Sequence, residues 1–542
     1  MSETDNSKII NNINQILHNK GVKQEDRLDR LLYLLNNKNE IKELDNLLNK
    51  LDRNNKELMQ EIFMLFGNKF TKYKLDQFYT PLTISEFINN LMTFGNSEKA
   101  IDPAGGTGDL LVHYQGNKTI WDIDDNALKL CKLNYDLNKH KNYNLECKNS
   151  LRDYIPYENT FDYSVLNPPF GSNTLITDEN ILNNFVMGKG KKKQEIGILF
   201  VELGLKLLKD NGIMFIIIPS GYVGNSNNNC SEMRNLILEN KVLASIELPR
   251  NTFKRSGTGV NTYLLIVQKK KTKRDYPILI SRLNNIGYNL KNKNTPVKYK
   301  VEKSSGKVLL DKNKNKIRDN DFNDLKDQIT LFIKKAKIKG LNKSNNEKKY
   351  EYIRSNSLEN NIIDVKRYMK SYKSVISEIK NGKYKRVKDL CKILNSKDKI
   401  EDNKEYLYID ISEINTPLYN GKELYGYELP SRAKYSLKKY DILVSKLEGD
   451  ISYCVILDDN NNYISTNGVC VLRCEKIENV YILFGNLISK KFKVQHEAFL
   501  TGSIMACLSD DELGNILVST EINTKQIKSM LKALEDYKKI SN

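Results

Sequence analysis

The segment Asn167-Pro168-Pro169-Phe170 carries the side chains best suited to chemistry in this sequence. It follows the apolar run Phe161–Leu166 and is therefore expected at the end of a buried strand. Two prolines remove backbone donors and stiffen the turn, which leaves the Asn167 side-chain oxygen and the Pro168 carbonyl as acceptors. Such a pair can hold an amino group, which has two donors, while Phe170 stacks on a flipped base. An ordinary strand-to-loop turn is the alternative.

A glycine-rich segment precedes this motif and is predicted to join the strand Lys99–Ile101 to a helix. Glycines let the backbone turn tightly and approach a ligand beneath the helix N-terminus. Taken alone, such a turn fits dinucleotide binding equally well. The residues expected to contact a cofactor are Asp102, Pro103, Ala104, Gly105, Gly106, Thr107 and Gly108.

Acidic residues end a second predicted strand, Thr119–Ile123. An acid at that position can accept hydrogen bonds from both ribose hydroxyls of a nucleotide-like ligand. We assign this role to Asp122, with Ile123 beside it, and keep Asp124 as the alternative acid. Together, the glycine-rich turn and the acidic strand end predict a nucleotide-like cofactor.

The elements that must position these residues alternate between short apolar strands and amphipathic helices over residues 73–275. A helix such as Ile196–Leu208 between strands is typical of a doubly wound α/β sheet. The further predicted strands are Gly212–Ile218, Ala244–Glu247 and Thr262–Gln268.

The rest of the chain divides by pattern into four regions. Residues 1–72 repeat leucine and isoleucine at helical spacing, which predicts a small helical domain. Residues 276–375 are rich in Lys and Asn and read as a connecting region, whose basic runs either contact DNA or form a solvated surface. Residues 376–520 regain strand character with turns between the strands, and residues 521–542 contain a closing helix, Thr524–Ile540.

The composition narrows the function classes. A net charge of +19 favours a polyanionic partner, although coding bias in an A/T-rich genome would also enrich Lys and Asn. Eight cysteines without a Cys-x-x-Cys pair argue against a zinc site, so no metal is expected. The longest apolar run, Gly212–Pro219, is too short to span a membrane, and the polar N-terminus does not resemble a secretory signal. We expect an intracellular protein.

With these motifs in order, the chain resembles the γ-type amino-methyltransferases of DNA, most closely the modification subunits of type I restriction–modification systems. Asp102–Leu111 resembles the family's cofactor loop, and Asn167–Phe170 resembles its catalytic motif. Asn149 stands where the family often has an acid contacting the cofactor adenine. The segment that resembles the cover over the cofactor's methionine part comprises Gln77, Phe78, Tyr79, Thr80 and Pro81.

The C-terminal region resembles type I specificity subunits, with one target-recognition domain instead of two. The resemblance implies DNA contacts by Lys446, Ser465, Thr466 and Asn467, which as turn residues have an equally good structural explanation. The closing helix resembles the spacer helix of those subunits. It would either join two copies in a homodimer or pack against its own chain.

The resemblance implies a Rossmann-like α/β methyltransferase domain, with an N-terminal helical domain and a C-terminal mixed α+β target-recognition domain. It implies methyl transfer from S-adenosylmethionine to adenine N6 in double-stranded DNA by base flipping. The motif geometry alone would accept cytosine N4 as well. Two rival interpretations are an enzyme acting on RNA or protein amides and a non-catalytic DNA-binding subunit. A nuclease, where one exists, is expected to be a separate subunit.

Overall fold

The computed structural model separates into two compact units, Met1–Ile363 and Asp364–Asn542, which are described in turn. The described residues are 6–24, 26–36, 42–51, 58, 62, 79–93, 98–169, 174–254, 258–292, 296–312, 314, 316–333, 350–459, 462–502 and 506–541.

In the first unit, an N-terminal group of helices is followed by helices that flank a large sheet. Labelled in chain order, they are α1 Asn6–Asn19, α2 Arg27–Asn36, α3 Lys42–Lys50, α4 Leu82–Leu91, α5 Asp125–Leu137, α6 Ser150–Asp153, α7 Glu179–Asn183, α8 Ile196–Leu207, α9 Ser220–Gly224, α10 Asn228–Leu238 and α11 Phe322–Ile333.

Nine of the strands formed by described residues build one sheet, in the order β11-β10-β8-β9-β7-β4-β1-β2-β3. β5 and β6 form a separate two-stranded pair. The strands are β1 Lys99–Asp102, β2 Asn117–Asp122, β3 Tyr143–Cys147, β4 Phe161–Leu166, β5 Leu175–Ile176, β6 Gln194–Glu195, β7 Leu208–Pro219, β8 Lys241–Glu247, β9 Thr262–Gln268, β10 Pro277–Arg282 and β11 Tyr350–Arg354.

The strand directions decide where a ligand site can form. β1 runs parallel to β2 and β4, and β4 runs parallel to β7. β9 is antiparallel to both β7 and β8, and β10 is parallel to β8. The carboxyl ends of β1, β2, β4 and β10 therefore share one edge of the sheet. In open α/β sheets, ligands bind at that edge, where the strand order reverses.

The structure confirms the α/β fold and each strand expected between residues 99 and 268. The central strands are recognisable because both of their faces are covered, so they read as nearly unbroken apolar runs. In β9, each of the seven residues is buried. The segment Ile196–Leu208 forms α8, which ends one residue earlier, at Leu207.

The N-terminal helices pack on the outer face of α5. Ile10, Leu31 and Leu48 are fully or almost fully buried in a cluster that also contains Ala127 and Leu130 of α5. Apolar residues at helical spacing on each helix supply this shared core. The helix that follows β2 is thus covered on the side away from the sheet, whereas the glycine-rich turn is followed by a short 3-10 helix, Asp109–Leu111.

The unit boundary differs from the division expected from composition. The structure places β10 and β11 in the large sheet, although both lie within the Lys/Asn-rich region 276–375. The helices α1, α2 and α3 also belong to the same compact unit as the sheet. Short strands between long polar segments leave a weak periodic signal.

The second unit has mixed α+β structure built on two four-stranded sheets, in the orders β13-β22-β19-β20 and β17-β14-β21-β18. Its helices are α12 Lys370–Lys380, α13 Ile477–Leu487, α14 Lys490–Phe499, α15 Asp510–Asn515 and α16 Thr524–Ser541. Its strands are β12 Tyr384–Arg386, β13 Lys392–Ile393, β14 Glu405–Ile409, β15 Ile414–Asn415, β16 Leu418–Tyr419, β17 Lys422–Tyr425, β18 Ala433–Ser436, β19 Ile442–Ser445, β20 Tyr453–Val455, β21 Tyr463–Thr466, β22 Val469–Arg473 and β23 Leu517–Ser519. Among the helices of the described residues, none is both long enough and apolar enough to cross a membrane.

Candidate active site

A cavity of about 230 Å³ opens at the carboxyl edge of the large sheet, where β1, β2 and β4 end. Three segments that are far apart in the sequence meet there: the glycine-rich turn, the acidic end of β2 and the segment after β4. The lining residues are Tyr79, Thr80, Asp102, Pro103, Ala104, Gly105, Gly106, Thr107, Asp109, Leu110, Asp122, Ile123, Ala127, Lys148, Asn149, Ser150, Leu151, Asn167, Pro169, Thr174, Ile176, Ile196 and Phe200.

Three positions of the turn favour glycine, either because of a positive φ angle or because a Cβ atom would be crowded. Gly106 and Gly108 have positive φ angles of 52° and 79°, a region that side chains rarely adopt. A Cβ atom on Gly105 would lie 2.3 Å from Cγ2 of Ile120, and one on Gly108 would lie 2.5 Å from Sγ of Cys131. The turn therefore fits closely against β2 and α5.

Two helices hold the turn from opposite sides. From α4, the Ser85 hydroxyl donates to the Asp109 carbonyl at 2.6 Å. From α5, the Asn134 amide donates to the Thr107 carbonyl at 3.0 Å, and the Tyr135 hydroxyl donates to the Gly108 carbonyl at 3.0 Å. These bonds fix the backbone of the turn before any ligand binds.

Asp122 lies at the end of β2 with both carboxylate oxygens engaged. They accept the backbone N–H groups of Gly106 at 2.7 Å and Asp124 at 2.9 Å. Burial raises the Asp122 pKa to about 6, against the effect of these hydrogen bonds. Burial also raises the Asp102 pKa well above its usual value. The cavity is thus lined by carboxyl groups whose charged forms are disfavoured while they remain desolvated.

The Asn167 amide, directly after β4, donates to the Thr80 hydroxyl oxygen at 3.0 Å. Thr80 is buried and lies two residues before α4, so this bond links the segment after β4 to the segment before α4, and both residues line the cavity. Because the Asn167 nitrogen faces Thr80, its oxygen is directed away from Thr80. This orientation is compatible with the prediction that the Asn167 oxygen accepts a hydrogen bond from an amino group.

Asn149, expected near the cofactor adenine, lines the cavity but also caps α6. Its side-chain oxygen accepts the Leu151 N–H at 3.1 Å. The neighbouring Ser150 hydroxyl donates to the Pro103 carbonyl at 2.5 Å, which ties this segment to the glycine-rich turn. The ammonium group of Lys148 lies 4.6 Å from the Trp121 ring centre and 4.4 Å from that of Tyr157. Lys148, Asn149 and Ser150 all line the cavity.

Most cofactor and catalytic residues expected from the sequence meet in this cavity. Pro81, Gly108 and Pro168 adjoin its wall without lining it. Gln77, Phe78 and Phe170 lie outside the described residues. The residues brought together are Tyr79, Thr80, Asp102, Pro103, Ala104, Gly105, Gly106, Thr107, Asp122, Ile123, Asn149, Asn167 and Pro169.

Sequence reasoning missed part of the lining. Asp109, Lys148 and Ser150 flank residues that were singled out, so proximity to the motifs was their available signal. Ile176, Ile196 and Phe200 had no comparable signal, because their apolar side chains are common in any core. Their position in the cavity follows from the tertiary fold.

The four residues expected to contact DNA are placed differently from one another within the second unit. Asn467 is exposed, whereas Ser465 and Thr466 are buried in β21, between β14 and β18. The Lys446 ammonium group pairs with Asp510 at 2.7 Å. As folded, this structure offers the Asn467 side chain to a ligand more readily than the other three.

The closing helix α16 packs against its own unit. Ile527 and Leu531 are buried in the core of that unit. The Tyr440 hydroxyl donates to the Glu535 carboxylate at 2.9 Å, which adds a polar anchor. Met530, Tyr537 and Ile540 are exposed on this helix.

Within the part of the chain that the structure describes, no group of three His, Cys, Asp or Glu side chains is arranged to hold a metal ion.

The part of the chain that forms this site is similar in sequence to known proteins. A family model described as N-6 DNA Methylase matches residues 54–374. The methylase subunit of the type I restriction enzyme MjaVII from Methanocaldococcus jannaschii is 26% identical over 202 residues, which cover 34% of this chain and 35% of that protein. The chain therefore matches about a third of that relative's length.

Two further similarities extend the comparison. The rRNA N(6)-adenosine-methyltransferase metl-5 of Caenorhabditis elegans is 28% identical over 170 residues, covering 29% of this chain and 69% of that protein. The crystal structure of the type IIG restriction endonuclease BpuSI aligns with 97% of this chain and 71% of its own, at 13% identity and a TM-score of 0.46.

Proposed function

Because the chain belongs to the N-6 DNA methylase family, we propose that it transfers a methyl group from S-adenosylmethionine to N6 of adenine in double-stranded DNA. The observation that carries this proposal is the Asn167 amide, held by Thr80 in the same cavity as the glycine-rich turn. This arrangement combines an acceptor for an amino group with a nucleotide-sized cradle at the carboxyl edge of the sheet.

The cavity fits the proposed cofactor. Its glycine-rich turn lines it with Gly105 and Gly106, which have no side chains, and Asp122 offers a buried acceptor for ribose hydroxyls. Ile123 and Leu151 supply apolar surface for a base. When bound, S-adenosylmethionine supplies an electrophilic methyl group. These residues hold and orient it, and the surrounding apolar lining excludes water.

The segment after β4 is proposed to hold the acceptor base. The target adenine must leave the DNA stack, at a cost of a few kcal/mol. The Asn167 oxygen and the Pro168 carbonyl then accept hydrogen bonds from N6, which orients its lone pair towards the methyl donor. Phe170 is proposed to stack on the flipped ring. Orientation and exclusion of water supply much of the acceleration in such a site.

The second unit is proposed to recognise the DNA sequence. Its mixed α+β fold is separate from the unit that contains the cavity, so it can vary without altering the chemistry. Asn467 is the exposed candidate for a base or phosphate contact, and Lys446 would first have to leave Asp510. A nuclease is proposed to reside in a separate subunit.

A homodimer through α16 is a further proposal about partners. The exposed residues Met530, Tyr537 and Ile540 would form the contact, while Ile527 and Leu531 remain in the unit's own core. Sedimentation of the Tyr537→Glu variant should show fewer dimers than the wild-type chain. A wild-type chain that sediments as a monomer at high concentration would remove this proposal.

RNA is the second candidate substrate, because the similarity to metl-5 covers 69% of that rRNA methyltransferase. The amino-group acceptor itself does not distinguish DNA from RNA. The deciding experiment incubates the protein with labelled S-adenosylmethionine and either duplex DNA or RNA, followed by nucleoside analysis. N6-methyladenine in DNA, absent with Asn167→Ala, is the expected result. Label in RNA alone, or in cytosine, would contradict the proposed substrate.

A further inference from the structure

Residues 296–319, here called the basic arm, follow β10 in the first unit and carry a concentrated positive charge. Eight Lys and Arg side chains stand against three Asp and Glu side chains, a net charge of +5. The backbone of the arm is ordered by antiparallel hydrogen bonds, such as Lys300 N–H to the Ile317 carbonyl at 2.9 Å and Leu309 N–H to the Lys300 carbonyl at 2.9 Å. The arm is therefore a folded element with a fixed charge pattern.

The arm projects from the body of the unit. Each residue from 301 to 312 is exposed, including the aliphatic residues Val301 at 53% and Leu310 at 54%. The charges near the base are engaged internally: Lys298 pairs with Asp319 at 2.8 Å, and the Arg318 guanidinium donates to the Tyr288 hydroxyl at 3.3 Å. The exposed segment carries Lys303, Lys307 and Lys312 outward.

The base of the arm is anchored beside the candidate active site. Because β10 is parallel to β8, it ends at the same sheet edge as β1, β2 and β4. The Thr83 hydroxyl, at the start of α4, donates to the Ile286 carbonyl at 2.5 Å. Thr83 lies three residues after Thr80, the partner of Asn167. The Phe87 and Phe322 rings are stacked with their centres 4.6 Å apart, and this contact packs α4 against the start of α11 at the same junction.

We propose that the basic arm binds the phosphate backbone of duplex DNA next to the flipped adenine. This inference rests on the proposed function, since it assigns a role to the DNA that the cavity would methylate. Lysines on a projecting arm can neutralise phosphates without reading the sequence. The exposed aliphatic side chains between them suit the sugar edges of a groove. Charge complementarity and the position of the arm at the catalytic edge favour DNA over an apolar protein partner.

The test uses the full chain and a labelled 30-base-pair duplex of mixed sequence, because phosphate contacts do not depend on sequence. The arm variant is Lys303→Gln/Lys307→Gln/Lys312→Gln. Its matched control is Lys270→Gln/Lys271→Gln/Lys273→Gln, which removes the same charge. Those lysines are exposed and follow β9, whose antiparallel direction places them at the opposite edge of the sheet. Binding is measured by anisotropy across a salt series.

Each phosphate contact contributes about 0.9 to the slope of log affinity against log salt concentration. Because three lysines are replaced, we expect the slope of the arm variant to be shallower than that of the wild type by up to about 2.7. At about 0.1 M salt its affinity should fall at least tenfold, while the control variant keeps the wild-type slope. Both variants should bind S-adenosylmethionine like the wild type. Equal DNA binding by the arm and control variants would overturn the proposal.

Failure of the arm proposal can be told apart from failure of the proposed function. In the first case the wild-type chain methylates duplex DNA, and the arm variant binds DNA as the control does. In the second case the wild-type chain transfers no methyl group to any duplex DNA under the conditions that saturate binding.

Discussion

The hydrogen bond to the Thr80 hydroxyl orients the side-chain amide of Asn167. Replacing Thr80 by Val keeps its shape and removes the hydroxyl. We predict a fall in kcat of about 5- to 30-fold, because about 1–2 kcal/mol of hydrogen-bond energy no longer holds the amide in place. The measurement is methyl transfer to DNA at saturating S-adenosylmethionine.

The Thr80→Ser variant is the matched control, since it retains the hydroxyl and should recover most of the wild-type kcat. The Asn167→Ala variant should lose methylation altogether while it continues to bind cofactor and DNA. Wild-type kcat in Thr80→Val would show that Asn167 is oriented by other contacts, and near wild-type turnover in Asn167→Ala would remove its catalytic assignment.

Burial of Asp122 predicts a pH dependence for cofactor binding. Its pKa is raised to about 6 because burial disfavours the carboxylate. In the proposed complex, the carboxylate is the form that accepts hydrogen bonds from both ribose hydroxyls. Affinity for S-adenosylmethionine should therefore increase as pH rises through about 6, and decrease about tenfold for each pH unit below that value. Calorimetry between pH 5 and 8 measures this profile.

The variant Asp122→Asn should bind S-adenosylmethionine about 1–3 kcal/mol more weakly at neutral pH, with a flatter profile. Asp124→Asn is its control, because Asp124 caps α5 through Asn126 N–H and asparagine caps a helix equally well. If Asp124→Asn loses affinity while Asp122→Asn does not, the ribose contact belongs to Asp124.

At the residue scale, contiguous motifs could be predicted from the sequence and distant contacts could not. Asn167 stands out because an apolar strand and two prolines surround it. Thr80 was singled out only through a family resemblance, and its contact with Asn167 spans 87 positions of sequence. A hydrogen bond between residues so far apart depends on the packing of α4 against the sheet, which no local pattern encodes.

At the scale of elements, the glycine-rich turn is shaped by its packing against α5. Gly106 and Gly108 both have positive φ, but only Gly108 is crowded, by Cys131 and Tyr135. We predict that Gly106→Ala destabilises the protein by about 1–2 kcal/mol through backbone strain. Gly108→Ala should lose a further ~1–3 kcal/mol, since its new methyl group overpacks the buried junction.

Thermal unfolding of the cofactor-free chain should rank the midpoints as wild type, then Gly106→Ala, then Gly108→Ala. Equal midpoints for the two variants would mean that α5 can move away from the turn. One residue separates the two glycines, so any general effect of the turn on stability is shared between them.

The elements also show which patterns can be read from sequence. Strands β4 and β9 were predicted with their observed bounds, because buried central strands give unbroken apolar runs. Strands β10 and β11 were not predicted. They pair across 67 residues at the edge of the sheet, and the polar chain between them dominates the local composition.

For the whole molecule, the separation into two compact units predicts that DNA sequence choice and chemistry can be separated. The structure sets this boundary at Ile363, where composition had suggested a connecting region from 276 to 375.

We predict that exchanging residues 364–542 for the corresponding unit of a related enzyme changes the methylated sequence and leaves S-adenosylmethionine affinity unchanged. Base contacts in that unit would specify the sequence, while phosphate contacts add salt-sensitive affinity. If the second unit is the single recognition domain proposed above, a monomer should methylate a short asymmetric site, and a dimer should read two copies. The measurement is a map of N6-methyladenine in DNA from cells that express the wild-type or exchanged chain.

An Asn167→Ala copy of the exchanged chain is the control, because DNA from cells that express it should carry no new methylation. If the exchanged chain methylates the original sequence, then recognition resides in residues 1–363, and the basic arm and its neighbouring loops become the elements to examine for base contacts.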